Sequence, residues 1–324
     1  MKKSCEKIKY FIAHYPHDPK YWNIYPNSVD GVLISQKNLH TNTGNPKKIM
    51  KRMFELGIHQ TLELPIKIPL MIDSGAFQYI DEEWEELPIT PKKVLDIYKK
   101  LKVDIGVHLD WPITQKLSEK QVKKRFKTTI ENAEITMDLL KNERYNGIKI
   151  MAVTQGISPN MHKKCANKYL ELGYELIGIG GLAPISGSVG KVIQRIDAVL
   201  SVVSKHKNIK IHLFGIGAID TLRQAMKKGI YSFDNATPTM AAIKGDIILS
   251  NPYRRFNVLK NLDEANGCIP CGCYACRKYG RNLLNRGKRD HNMGRAIHNY
   301  IHYKNSLSEL WKNYNVRVNR ARIS

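Results

Sequence analysis

The chain has 324 residues, 42% of them hydrophobic, enough for one large α/β domain and a small appendage. No run approaches the ~18 apolar residues of a membrane helix, and the charged start at residues 1–7 lacks the apolar stretch of a signal peptide. A soluble, cytoplasmic protein without a membrane partner is therefore expected. With 52 Lys+Arg against 29 Asp+Glu, the net charge of +23 favours a polyanionic partner, nucleic acid first among them.

Short β-branched or apolar runs recur at residues 9–13, 31–35, 69–74, 104–110, 149–155, 174–180, 210–215 and 231–236. Amphipathic stretches at 90–101, 118–142, 161–172, 188–205 and 219–228 lie between many of them. Strand–helix alternation of this kind implies parallel strands joined by crossover helices. Eight candidate strands fit a closed α/β (β/α)8 TIM barrel, with an open doubly wound sheet as the structural alternative. A dinucleotide-binding version of that alternative has no support, because no Gly-x-Gly-x-x-Gly follows an early strand.

Asp73, Asp110, Gln155, Gly180, Gly181 and Asp234 sit at or near the C-terminal ends of different expected strands. On a barrel those ends converge on the face that carries active sites. Taken singly, an Asp after a strand is as well explained by a turn or a helix cap. Three carboxylates and a glutamine at separate strand ends are harder to explain that way.

From about residue 251 the pattern turns basic and helix-rich, so a barrel is expected over 1–250 and a small C-terminal zinc-binding subdomain over 251–324. Residues 316–324 read as a basic tail with three arginines. Four of the six cysteines fall within nine residues, at 268, 271, 273 and 276, whereas Cys5 and Cys165 are isolated. Inside a cell such clustering points to metal rather than disulfides.

The spacing Cys271-x-Cys273-x2-Cys276 lets three thiolates wrap one face of a zinc ion, leaving a fourth tetrahedral position. Helical sequence then brings in His291, His298 and His302. His298 is preferred as fourth ligand of a structural Zn2+, His302 is the reserve one helical turn on, and Cys268 is a further alternative.

Together these residues resemble the tRNA-guanine transglycosylase superfamily, most closely its DNA-acting members that insert 7-deazaguanines. The resemblance runs from about Gly31 onward. It rests on Asp73-Ser74-Gly75-Ala76-Phe77-Gln78, Leu109-Asp110, Gln155-Gly156, Gly180-Gly181-Leu182, Phe233-Asp234 and the cysteine signature followed by His298-Asn299. It implies a (β/α)8 barrel with a zinc insert. It also implies a base exchange in which Asp234 attacks C1′ and expels guanine, leaving a covalent glycosyl-enzyme.

In the same way it casts Asp73 as the general acid and base, and Asp110 as reader of the guanine N1–H and amine. Gln155 and the backbone N–H of Gly181 would complement O6, with Gly180 and Leu182 in the same loop and Ser74 against the base.

The chain departs from the bacterial tRNA enzymes at Met240, which replaces an anticodon-reading arginine, and at Ala183-Pro184-Ile185-Ser186, which lacks their Val-Gly-Glu. Ala76 replaces a glycine, and the Cys276-to-His298 spacing is shorter. The archaeal enzymes carry RNA-binding domains for which the residues beyond His302 leave no room.

DNA is thus expected over tRNA as the polymer, with a 7-deazaguanine such as the 7-cyano form as incoming base. A compact tRNA enzyme is the first alternative and a catalytically silent nucleic-acid-binding barrel the second. A homodimer and a helper ATPase are further possibilities raised by the resemblance.

Overall fold

A computed structural model of the protein describes residues 7–15, 17–36, 45–81, 83–258, 260–285 and 289–320. Cys5 and tail residues 321–324 lie outside the described residues. Eight strands, β1 (Lys9–Ala13), β2 (Gly31–Ser35), β3 (Leu70–Asp73), β4 (Ile105–Val107), β5 (Lys149–Thr154), β6 (Leu176–Ile179), β7 (Lys210–Leu213) and β8 (Ser232–Asn235), form a closed barrel in sequence order. Every neighbouring pair is parallel, and β1 closes on β8 with Phe11 opposite Asp234.

The expected strands are all present, most of them trimmed by one to four residues, as is usual at element ends. The expected α/β barrel is therefore the observed one, and the open sheet is excluded by the β1–β8 pairing.

The helices in chain order are α1 (Tyr21–Ile24), α2 (Asn45–Leu56), α3 (Ile58–Leu62), α4 (Pro91–Leu101), α5 (Glu119–Leu140), α6 (Pro159–Glu171), α7 (Val189–Val203) and α8 (Ile219–Met226). Local sequence explains where several of them start. Thr90 caps α4 ahead of Pro91, Ser118 and Gln121 form a reciprocal capping box on α5, and Ser158 caps α6 ahead of Pro159. Each such cap stabilises its helix by about 1 kcal/mol. On α4, Val94, Leu95, Tyr98 and Leu101 form the buried stripe, and the Tyr98 hydroxyl donates to Val107 O at 2.7 Å. Phe11, Leu33, Met71, Val107, Met151 and Val153, one or two from each of β1 to β5, form one buried cluster.

The chain divides into two compact units, residues 30–235 with the N-terminal 1–16, and residues 236–324 with 17–29. The second unit thus begins before the boundary expected at residue 251. The reason is packing: the helices Thr237–Ile243 and Arg289–Arg320 pack on each other and on β9 (Asp246–Ser250), which forms an antiparallel two-stranded hairpin sheet with β10 (Tyr253–Asn257). That hairpin also corrects the helix-rich expectation for its first residues. The unit continues with α9 (Thr237–Ile243), α10 (Leu262–Cys268), α11 (Tyr274–Tyr279) and the long α12 (Arg289–Arg320).

Buried Asn299 ties α12 to this hairpin, accepting from Ile248 N at 2.8 Å and donating to Asp246 O at 2.9 Å. Tyr21 of α1 stacks on Tyr300 at 4.4 Å within the same unit. Among the described residues no helix is long and apolar enough to cross a membrane.

Candidate active site and candidate metal centre

The barrel unit holds a cavity of about 190 Å3 lined by Asp73, Ser74, Asp110, Gln155, Gly180, Gly181, Leu182 and Asp234. The structure thus brings together every residue expected from the sequence to serve catalysis or base binding. They come from the C-terminal ends of β3, β4, β5, β6 and β8 or the turns just after them, the face where barrels build sites.

Asp73 ends β3. Its Oδ1 accepts from the Ser35 hydroxyl and from the Gly75 backbone N–H, both at 2.8 Å. Burial raises its pKa from 3.8 to about 6; these two donors oppose the rise, while the charges of Asp234 and Asp110 add to it.

Asp110 is buried and accepts from Gln155 Nε2 at 2.7 Å and Ser74 Oγ at 3.2 Å. Its pKa is raised by burial, against the pull of the same two donors. Gln155 is itself held, its Oε1 accepting from Ile113 N at 3.4 Å. Asp234, in β8, accepts at Oδ1 from His212 Nε2 at 3.1 Å and from Gly215 N at 3.0 Å.

Two glycines shape the wall beside Gln155. A Cβ on Gly180 would lie 2.5 Å from Gln155 Nε2 and 2.7 Å from Val153 Cγ1, so only glycine permits that approach. Gly181 has φ +64°, a conformation that costs other residues energy. Its carbonyl accepts from the Arg195 guanidinium at 2.6 Å, which fixes the peptide that follows.

Several residues of the site were not anticipated from the sequence. Ser35, His212, Arg195 and Gly215 are direct partners of the residues above, but no short motif marks them. The nearest signal was a histidine within the apolar run Ile211-His212-Leu213, a buried polar group in a strand. Phe77 and Phe214 also line the cavity, and Phe77 is 62% exposed.

Arg125 is a further residue not anticipated from the sequence. Buried on α5, it donates to the carbonyls of Tyr79, Ile80, Asp81 and Pro112 and lies 4.8 Å from the Trp111 ring. It thereby fastens the turn (Ala76–Tyr79) that carries Phe77.

In the second unit Cys271, Cys273, His298 and His302 offer donor atoms within 4.8 Å of one another. Cys276 joins them, its sulfur 3.5 Å from that of Cys271 and 3.4 Å from His298 Nδ1. Nδ1 of His298 lies 3.8 Å from Cys271 and 3.4 Å from Cys273. Tetrahedral ligands on one zinc stand roughly 3.5–3.8 Å apart, given metal–ligand bonds of about 2.0–2.3 Å. The Cys271–Cys276 separation and those from His298 Nδ1 to the three sulfurs match that spacing, so the residues present can hold a metal ion.

His298 Nε2 donates to Ile248 O at 3.0 Å, the arrangement that leaves Nδ1 free for a metal. His302 reaches Cys271 with Nε2 at 3.3 Å and Ser250 Oγ with Nδ1 at 3.1 Å. Cys268 ends α10 and is not part of this donor group.

Residues 26–313 match the family model TGT, described as Queuine tRNA-ribosyltransferase. Among curated relatives, the tRNA-guanine(15) transglycosylase of Methanobrevibacter smithii is 29% identical over 278 residues, covering 81% of this chain and 40% of the relative. The enzyme of the same name from Thermococcus onnurineus is 25% identical over 311 residues, covering 91% and 50%. A DNA-guanine transglycosylase of Salmonella montevideo is 23% identical over 244 residues, covering 71% and 55%. The chain thus spans 40% to 55% of the lengths of these relatives. With a barrel of this topology, three carboxylates in one cavity and a family match over most of its length, the chain belongs to the TGT, or queuine tRNA-ribosyltransferase, family.

Proposed function

We propose that this protein exchanges guanine in a nucleic acid for a 7-deazaguanine through a covalent intermediate on Asp234. The observation that carries this reading is the convergence of Asp73, Asp110 and Asp234 on one cavity, each with a different set of donors. An Asp234 oxygen attacks C1′ of a flipped-out nucleotide, and the bond from C1′ to the base breaks with its electron pair leaving on guanine. Asp73 supplies the proton that neutralises the departing base. It later takes a proton from the incoming base, whose nitrogen displaces the Asp234 carboxylate. A carboxyl near pKa 6 serves both directions well at neutral pH.

Asp110 reads the base. Its oxygens keep lone pairs beyond those used by Gln155 and Ser74, and these accept from the guanine N1–H and exocyclic amine. Adenine offers no such pair of donors. Gln155, Gly180, Gly181 and Leu182 line the same cavity beside it.

DNA is the favoured polymer. Met240, 43% exposed on α9, stands where the resemblance calls for an anticodon-reading arginine, and the loop Ala183–Ile185 lacks the bacterial Val-Gly-Glu. The tRNA reading is supported by the names of the Methanobrevibacter smithii and Thermococcus onnurineus relatives. Either polymer suits the charge of +23.

The thiols of Cys271, Cys273 and Cys276 with His298 are proposed as a closed structural zinc site. Bound there, zinc supplies folding energy to the second unit and takes no part in the exchange.

The test is incorporation of radiolabelled guanine into single-stranded DNA, duplex DNA and bulk tRNA by the purified protein. Label in DNA that disappears with Asp234→Ala supports the full reading. Label in tRNA alone moves the substrate to the second reading and keeps the chemistry. No label in any polymer, together with no covalent adduct by mass, overturns base exchange.

A further inference from the structure

The Asp234 carboxylate is held asymmetrically. Oδ1 takes both hydrogen bonds, from His212 and Gly215, while Oδ2 has no partner among the described residues. His212 is fully buried in β7, and its other nitrogen, Nδ1, lies 2.8 Å from the Ser232 hydroxyl. Ser232 and Asp234 alternate along β8, so their side chains share a face, and His212 pairs in register with Ser232. The imidazole is also fixed sideways, with Phe214 edge-on at 4.5 Å and Phe11 edge-on at 5.9 Å. The ring so constrained bonds directly to the proposed nucleophile.

We infer that His212 is the positioning residue of this nucleophile: it pins Oδ1, leaves Oδ2 as the atom that bonds to C1′, and steadies the carboxylate as it departs in the second half of the exchange. The inference rests on the base-exchange reading above. An ionised carboxylate only accepts, so His212 Nε2 carries the hydrogen, and the Ser232 hydroxyl donates to Nδ1 to hold that tautomer. When Oδ2 bonds to C1′, negative charge leaves Asp234 with the base, and Oδ1 becomes the carbonyl oxygen of an ester. When the incoming base attacks C1′, the Oδ2–C1′ bond breaks and its electron pair returns to the carboxylate. The His212 N–H hydrogen bond is stronger to that charged product than to the neutral ester, so it favours release of Asp234. Gly215 N–H acts in the same direction but cannot rotate the carboxylate against a side chain.

The test uses the 324-residue protein and labelled guanine, with the steady-state fraction of covalent adduct read after denaturing quench. His212→Leu is expected to lower kcat about 10-fold or more, to leave KM within about twofold, and to raise the trapped adduct fraction. His212→Gln, which returns an N–H donor at similar reach, is expected to restore most of kcat. Wild-type kcat in His212→Leu, or a His212→Gln as slow as His212→Leu, overturns the inference while base exchange stands. Absence of exchange and adduct in the wild type overturns both.

Should His212→Leu fail to fold, nitrogen-15 NMR of labelled histidines in the wild type and in Ser232→Ala decides. The Nε2–H tautomer for His212, partly lost in Ser232→Ala, is expected. An Nδ1–H tautomer in the wild type overturns the inference.

Discussion

Asp73 and Asp234 are held by the same device on different strands: in each, Oδ1 accepts one side-chain donor and one backbone N–H, and Oδ2 has no partner among the described residues. The side-chain donor differs, a serine hydroxyl for Asp73 and a histidine ring for Asp234. Burial outweighs the donors at Asp73 and lifts it to about 6.

That elevation has a sign that can be checked. A folded-state pKa above the unfolded value gives stability that is fully present below pH 3.8 and lost as pH rises through about 6. A rise from 3.8 to about 6 corresponds to at most roughly 3 kcal/mol. Asp73→Asn, which keeps the acceptor for Ser35 and Gly75, should therefore be more stable than the wild type at pH 7, with the gap closing toward pH 4.5. Paired urea titrations at the two pH values measure it. In single-turnover assays without incoming base, guanine release should slow about tenfold per pH unit above ~6 in the wild type. It should be slow and flat in Asp73→Asn, and a wild-type rate independent of pH from 5 to 8 would count against Asp73 as the acid.

Asp110→Asn replaces an acceptor with a group that presents a donor to the guanine amine. Gln155 Nε2, at 2.7 Å, is left facing the changed group as well. kcat/KM for guanine should fall at least ~100-fold, the size of a lost charged hydrogen-bond pair in a buried site. Mass spectrometry of the products would show whether discrimination against adenine falls in parallel. Unchanged selectivity would remove Asp110 from base reading.

Gly180→Ala tests the wall behind the base. Its Cβ must displace Gln155 Nε2 or Val153, at 2.5 and 2.7 Å. Overpacking of this kind costs about 1–3 kcal/mol in stability. The displaced Gln155 should also raise KM for the base several-fold while kcat changes less. Thermal melting and substrate titration together separate the two effects.

For the metal centre, the purified protein should carry close to one zinc per chain by elemental analysis. His298→Ala should lose more zinc than His302→Ala, since His298 Nδ1 stands within 3.4–3.8 Å of all three sulfurs. Stripping the metal with a chelator should lower the melting temperature without abolishing the barrel's far-ultraviolet signature. Equal zinc loss in the two variants would mean that the histidines share the site.

The barrel was legible because its signal is repetitive: apolar runs of five to seven residues alternating with amphipathic helices leave few topologies once parallel crossovers are required. The acidic residues at strand ends were legible for a related reason, since the topology itself gathers those ends on one face. The hairpin of β9 and β10 was not. Asp246–Ser250 alone reads as one more apolar strand, and Tyr253–Asn257 with its two arginines reads as basic surface. Only their antiparallel pairing makes them one element.

Thus the sequence by itself determined the barrel, the three carboxylates and the cysteine spacing, because each is written in local periodicity or in a short motif. Tertiary structure decided who holds those groups. Ser35 reaches Asp73 across 38 positions, His212 reaches Asp234 across 22, and Arg125 fastens a turn some 45 residues away. Such partners meet only when neighbouring strands pair and helices pack on them, since a hydrogen bond depends on distance and direction in space and leaves no periodic trace along the chain.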